Sequence, residues 1–137
     1  MIYTSYFANI DNLPKDAIKI SIARYTPDWV KDKLKFRFDA FAPSPKLLSQ
    51  IKNGEITTEE YDAQYLDMLN RAKFTPQTLR DAIDKMTNKT VDLVFLCYEA
   101  PGRHCHRHLF AKWFNNYFNE ELIVEYGSRN SNIEAEG

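Results

Sequence analysis

The segment that most constrains the fold is Thr90-Val91-Asp92-Leu93-Val94-Phe95-Leu96-Cys97. Beyond Asp92 it is apolar without a break, so it lacks the alternation of a strand with one wet face. Such a run suits a central strand covered on both faces, which is how parallel sheets read. It is also far too short to cross a membrane.

The rest of the chain supplies the layers. Ile2-Tyr3-Thr4-Ser5-Tyr6-Phe7 reads as a first strand, ended by Asn9, Asp11, Asn12 and Pro14. Ile18-Lys19-Ile20-Ser21-Ile22-Ala23 is a second, with isoleucine at every other position. Residues 28–33 suit one helical turn carrying Trp29, and Phe36-Arg37-Phe38 is too short to assign. Ser44-Pro45 predicts a capped helix running to Lys52 and stopping at Asn53-Gly54. Thr57 or Thr58 caps the next, whose inward face is Tyr61, Tyr65, Met68, Leu69 and Ala72. Thr75-Pro76 opens a third helix with Leu79, Ala82, Ile83 and Met86 inward. An aromatic helix follows the central strand from about residue 105 to 118, and Leu122-Ile123-Val124-Glu125-Tyr126 is a last short strand.

Strands alternating with helices predict an α/β domain: a small Rossmann-like layered fold with a mainly parallel sheet of about four strands. One domain over residues 1–126 is expected, with residues 127–137 a polar tail. Ligands of such sheets sit beyond the carboxyl ends of the strands. That rule points to Thr4-Ser5, Arg24, and the residues from Cys97 onward.

The whole chain of 137 residues is 44% hydrophobic and 27% charged, with four glycines and six prolines, which excludes disordered, collagen-like and repeat architectures. A net charge of −1 argues against a dedicated duplex-DNA binder. The start of the chain lacks a basic region and cleavage site, so no signal peptide is expected. Two cysteines make neither a disulfide framework nor a zinc ribbon, and the expectation is a cytoplasmic protein with reduced thiols.

Chemistry concentrates in Cys97-Tyr98-Glu99-Ala100-Pro101-Gly102-Arg103-His104-Cys105-His106-Arg107-His108, which holds every histidine and both cysteines of the chain. It joins the central strand to the aromatic helix. Backbone N–H groups at a helix start attract anions, and Arg107 in the first turn adds a cationic fork. Stability alone favours acidic residues there, so a basic first turn favours an anionic guest such as a phosphate or carboxylate.

The pattern Cys-Tyr-Glu-x-Pro-Gly-x-x-Cys-His-Arg-His after an apolar strand resembles the signature of the domain of unknown function 488 family. Ile2-Tyr3-Thr4-Ser5-Tyr6-Phe7, Ser21-Ile22-Ala23-Arg24 and Ala42-Pro43-Ser44 resemble its other landmarks in the same order, so the resemblance spans about residues 2–126. It implies a small Rossmann-like fold found in bacteria and their phages, without a settled reaction. It marks Cys97, Glu99, Cys105, His106 and Arg107 as the site, with Ser5 and Arg24 as supports.

The leading expectation is a site for a phosphate-bearing nucleotide or nucleotide-derived small molecule, either sequestered or processed there. Arg107 and the helix start would hold phosphate, Arg24 would be a second clamp, and His104 would also contact the ligand. Glu99 would accept from ribose or base, and aromatic side chains would stack a base. Cys97, Glu99, Cys105 and His106 are the candidate catalytic residues, with His106 the acid or base. Neighbours in a helix point about 100° apart, so His106 is expected to be a poor partner for Cys105, and Cys97 a better one for a histidine. No cofactor or resident metal is implied.

Four alternatives stand beside this reading. The family's distribution suggests sequestration of a nucleotide immune signal by a phage protein. Cys97-x5-Arg103 matches the spacing of cysteine phosphatases, though Glu99 and Pro101 sit badly inside a phosphate cradle. Cys97, Cys105 and His104, His106 or His108 offer metal ligands without a Cys-x2-Cys knuckle. Arg103, Arg107 and Lys112 offer a weak, local nucleic-acid contact.

Overall fold

The computed structural model describes residues 1–99 and 104–127. Five strands form one sheet: β1 (Ile2–Tyr6), β2 (Ile18–Ser21), β3 (Phe36–Arg37), β4 (Leu93–Cys97) and β5 (Ile123–Glu125). Their order is β3-β2-β4-β1-β5, and every neighbouring pair is parallel. β4 is central, and all five of its residues are buried. Ile2 to Tyr6 lie opposite Leu93 to Cys97 on one side, and Ile18 to Ser21 lie opposite Leu93 to Leu96 on the other.

The sheet thus has five strands, not about four. β3 is two residues long and carries no readable period. It is held by β2, whose Lys19 O and Ser21 O accept from the backbone N–H groups of Lys35 and Phe38 at 2.8 Å.

Alternation along the strands splits the core. Leu93 and Phe95 join Ile20 and Ile22 in a cluster with the helices, whereas Val94 and Leu96 pack with Phe7, Ile10 and Val30 on the opposite face. The helices are α1 (Pro45–Lys52), α2 (Thr58–Arg71), α3 (Pro76–Thr87) and α4 (His106–Phe118). The opposite layer is built by 3-10 segments, Phe7–Asn12 and Asp28–Lys33, with Phe7 and Ile10 inward at the i, i+3 spacing of that helix.

Local chemistry sets the boundaries. Ser44 Oγ accepts from Leu47 N at 3.1 Å with Pro45 at the first helical position. Thr57 and Glu60 close a reciprocal capping box at 3.0 and 3.1 Å. Thr75 Oγ1 caps α3 through Thr78 N, and Asn88 ends it with φ 51°. The N–H groups of Thr90 and Val91 both turn back to Thr87 O, so β4 starts at Leu93 and not at Thr90. β2 ends at Ser21, although Ile22 N still donates to Leu96 O. The cause is Ser21 Oγ, which takes the N–H of Ala23 at 3.2 Å and turns the chain out of the sheet.

From β4 the chain passes into α4, on the helical face. From β1 and β2 it passes into the 3-10 layer, on the other face. This reversal opens a crevice beyond the carboxyl ends of the strands, where open α/β sheets bind ligands.

Candidate functional site

Cys97 ends β4, and Cys105 is the N-cap residue of α4. Strand end and helix start converge there, and the two cysteines are bonded through their sulfurs despite the expectation of reduced thiols. Cys97 is completely buried, and Cys105 is 6% exposed at the floor of a cleft.

His106 is also buried. Its Nε2 lies 2.6 Å from Ile22 O, a carbonyl that only accepts, so the proton sits on Nε2. Nδ1 is then the lone-pair nitrogen, and it lies 3.9 Å from Cys105 Sγ. Sequence adjacency thus does bring His106 beside Cys105, although a disulfide sulfur and a lone-pair nitrogen share no hydrogen bond. Cys105 has φ −146° and ψ 143°, so it is extended, and the 100° rule for two helical neighbours does not apply. Burial lowers the His106 pKa to about 4, with Arg107 adding to the effect against the opposing pull of the Ile22 carbonyl. The ring is neutral at pH 7. Cys97 Sγ, Cys105 Sγ and a His106 ring nitrogen lie within 4.8 Å of one another. As free thiols these are three soft donors, with the imidazole N–H fixed on a carbonyl as in metal-binding histidines.

Arg107 lies behind the cysteines and is fully buried. Its Nε and Nη2 donate to the Glu125 carboxylate at 3.0 and 2.8 Å. Its Nη1 donates to Cys97 Sγ at 3.3 Å and to the Glu99 carbonyl. Thr4 Oγ1 donates to the same carboxylate at 2.7 Å, and the Tyr6 ring lies 5.7 Å from the guanidinium carbon. This corrects the expectation of a phosphate clamp at Arg107: an internal carboxylate occupies the fork. It also removes Arg107 from any surface nucleic-acid patch. Arg103, the remaining half of the phosphatase-like spacing, lies outside the described residues.

The cleft has a volume of about 870 Å³. One wall is α1 with Leu48 and Lys52, and another is the turn after β2 with Arg24 and Tyr25. Tyr98, Glu99 and His104 form the rim near Cys105 and His106. Tyr25 and Tyr98 are 61% and 50% exposed, large apolar surfaces open at its mouth. Arg24 spends its Nε on Pro43 O at 3.0 Å and its Nη2 on the carbonyls of Asp39 and Ala42, so it braces the wall as well as lining it. His104 Nε2 lies 2.7 Å from Asp62 Oδ1, with its ring edge-on to Tyr61. It precedes α4, so it shares no helical face with His108.

Ser5 is not part of the cleft. It is buried in β1, where its hydroxyl accepts from Asn9 Nδ2 at 3.2 Å. The structure thus unites Cys97, Cys105, His106, Arg107 and the Glu99 backbone, puts Arg24 on a wall and His104 on the rim, and leaves Ser5 within β1, outside the cleft. Three site residues were not foreseen: Glu125, Lys52 and Tyr25. A carboxylate inside the short apolar strand Leu122-Ile123-Val124-Glu125-Tyr126 was the one available signal, since acidic residues are depleted in strands.

The sequence model described as the active DUF488-N3 subclade matches residues 2–118. The chain belongs to the DUF488 family. No curated protein and no solved structure matches it. In this family member Cys97, Cys105, His106 and Arg107 meet at the end of β4. No helix among the described residues is long and apolar enough to cross a membrane.

Proposed function

We propose that this DUF488 protein binds a phosphate-bearing nucleotide or nucleotide-derived small molecule in the cleft beyond β2 and β4, from a cytoplasmic pool. The observation that carries the reading is the composition of the cleft: the cationic side chains of Arg24 and Lys52, two exposed tyrosine rings and the Glu99 carboxylate around one volume of about 870 Å³. That volume lies within the range of small-molecule sites, about 300–1,000 Å³. Tyr25 and Tyr98 offer faces for a base, and Lys52 offers a flexible, exposed ammonium for phosphate. Glu99 is placed to accept from hydroxyl or amino groups. Arg107 enters indirectly, by holding the Glu99 carbonyl and Cys97.

A thermal-shift panel of nucleotides, cyclic nucleotides, dinucleotides, ADP-ribose derivatives and inorganic phosphate tests this. A ligand at about a hundred times its Kd adds about 2.7 kcal/mol. The expected result is stabilisation by a nucleotide compound that is lost in Lys52→Glu and weakened in Tyr98→Ala, with both variants folded. Recovery of the ligand intact or altered separates sequestration from turnover. No stabilisation by any nucleotide compound, or stabilisation unchanged in both variants, would overturn the reading.

A further inference from the structure

We propose that Cys97 and Cys105 form a redox-active pair that exchanges electrons with a small thiol entering the cleft, Cys105 being the sulfur that the thiol attacks. The pair is built asymmetrically. Cys105 lines the cleft, whereas Cys97 is sealed beneath it at the end of β4. Arg107 Nη1 donates to Cys97 Sγ at 3.3 Å, and Glu125 fixes that guanidinium from the other side. A cation donating to sulfur stabilises the thiolate, and a stabilised thiolate leaves faster. Attack at Cys105 therefore expels the sulfur best able to carry negative charge. Attack at Cys97 is blocked by burial.

The neighbours of Cys105 fit the other half of the exchange. Nδ1 of His106, its lone pair fixed by the Nε2 donation to Ile22, lies 3.9 Å from Cys105 Sγ. It faces the sulfur that attacks a disulfide RSSR when the exchange runs in reverse. A staple is the weaker explanation of the bond. Its cysteines are eight residues apart, and short loops gain least from closure.

The electrons balance with thiols as the only co-reactant. A thiolate RS⁻ attacks Cys105 Sγ, forming an S–S bond to R and breaking the bond to Cys97, which leaves as thiolate. A second RS⁻ attacks the sulfur of R in this mixed disulfide, giving RSSR and releasing Cys105 as thiolate. Two thiols are oxidised, one protein disulfide is reduced, and the reverse sequence reoxidises the protein.

The test uses the full chain and glutathione, without any nucleotide, so its result is independent of the ligand reading above. Wild type, Cys97→Ser and Cys105→Ser are equilibrated in glutathione redox buffers, quenched by alkylation and weighed intact. Wild type should pass between a two-thiol and a disulfide form as the buffer changes. Cys97→Ser should accumulate a glutathione adduct at Cys105, and Cys105→Ser should form one at least about tenfold more slowly, given the burial of Cys97. Folding is checked by circular dichroism. Native alkylation of reduced wild type needs no variant, and Cys105 should be modified first. Equal adduct rates on the two cysteines, first alkylation at Cys97, or two thiols at every buffer ratio would overturn the proposal. So would one bound zinc per chain that either substitution releases.

Discussion

Arg107 has every direction of its fork occupied: Glu125, Cys97 and the Glu99 carbonyl. Breaking a buried pair by removing one partner costs about 3–5 kcal/mol, because the other charge is left uncompensated. Arg107→Met should therefore lower stability by about that amount in urea denaturation, and adding Glu125→Leu should restore part of it. An Arg107→Met protein as stable as wild type would contradict the buried pair. His106 gives a second prediction at this scale. Its folded pKa of about 4 lies below the ordinary imidazole value of 6.5, so the unfolded chain takes up the proton first as the pH falls. Stability from this residue is complete above about pH 6.5 and declines toward pH 4, by roughly 3 kcal/mol at 1.36 kcal/mol per unit. Denaturation midpoints across that range should fall more steeply for wild type than for His106→Gln, which keeps an N–H donor and does not titrate. Parallel slopes would sink the assignment of a neutral, buried imidazole.

Among the elements, the helices were the most legible because their ends are chemical. Ser44-Pro45, Thr57 with Glu60, and Thr75-Pro76 each satisfy backbone donors locally, within four residues. Thr57→Ala removes the acceptor for Glu60 N and should cost about 1 kcal/mol, with a matching fall in melting temperature. No change would mean that α2 is held by packing alone, through Tyr61, Tyr65 and Leu69. Strand ends were read less well. β2 stops two residues early because Ser21 Oγ captures an N–H, and β5 begins only at Ile123 because Asn115 Oδ1 takes the N–H groups of Leu122 and Ile123. β3 exists through its pairing with β2, so nothing in its own two residues announces it.

At the scale of the molecule, the sheet order makes the site. β4 lies between β1 and β2, and the chain leaves it toward the face opposite to that taken after either neighbour. The cleft floor is thus the end of β4 and the start of α4, and its walls come from segments far away in sequence, α1 and the turn after β2. The sequence by itself determined the α/β class, the buried central strand, the capped helices and the segment in which the cysteines and histidines cluster. Each of these is a local signal of periodicity, capping or clustered residue type. Tertiary structure alone decided which charge Arg107 meets, because Glu125 is 18 residues away on the far edge strand. It also decided that His106 is anchored by Ile22, 84 residues away, and that Ser5 turns to Asn9 rather than to the cleft. Residue types announce what a side chain can bond, whereas its partner is fixed only when strand order and burial bring one particular group within about 3 Å.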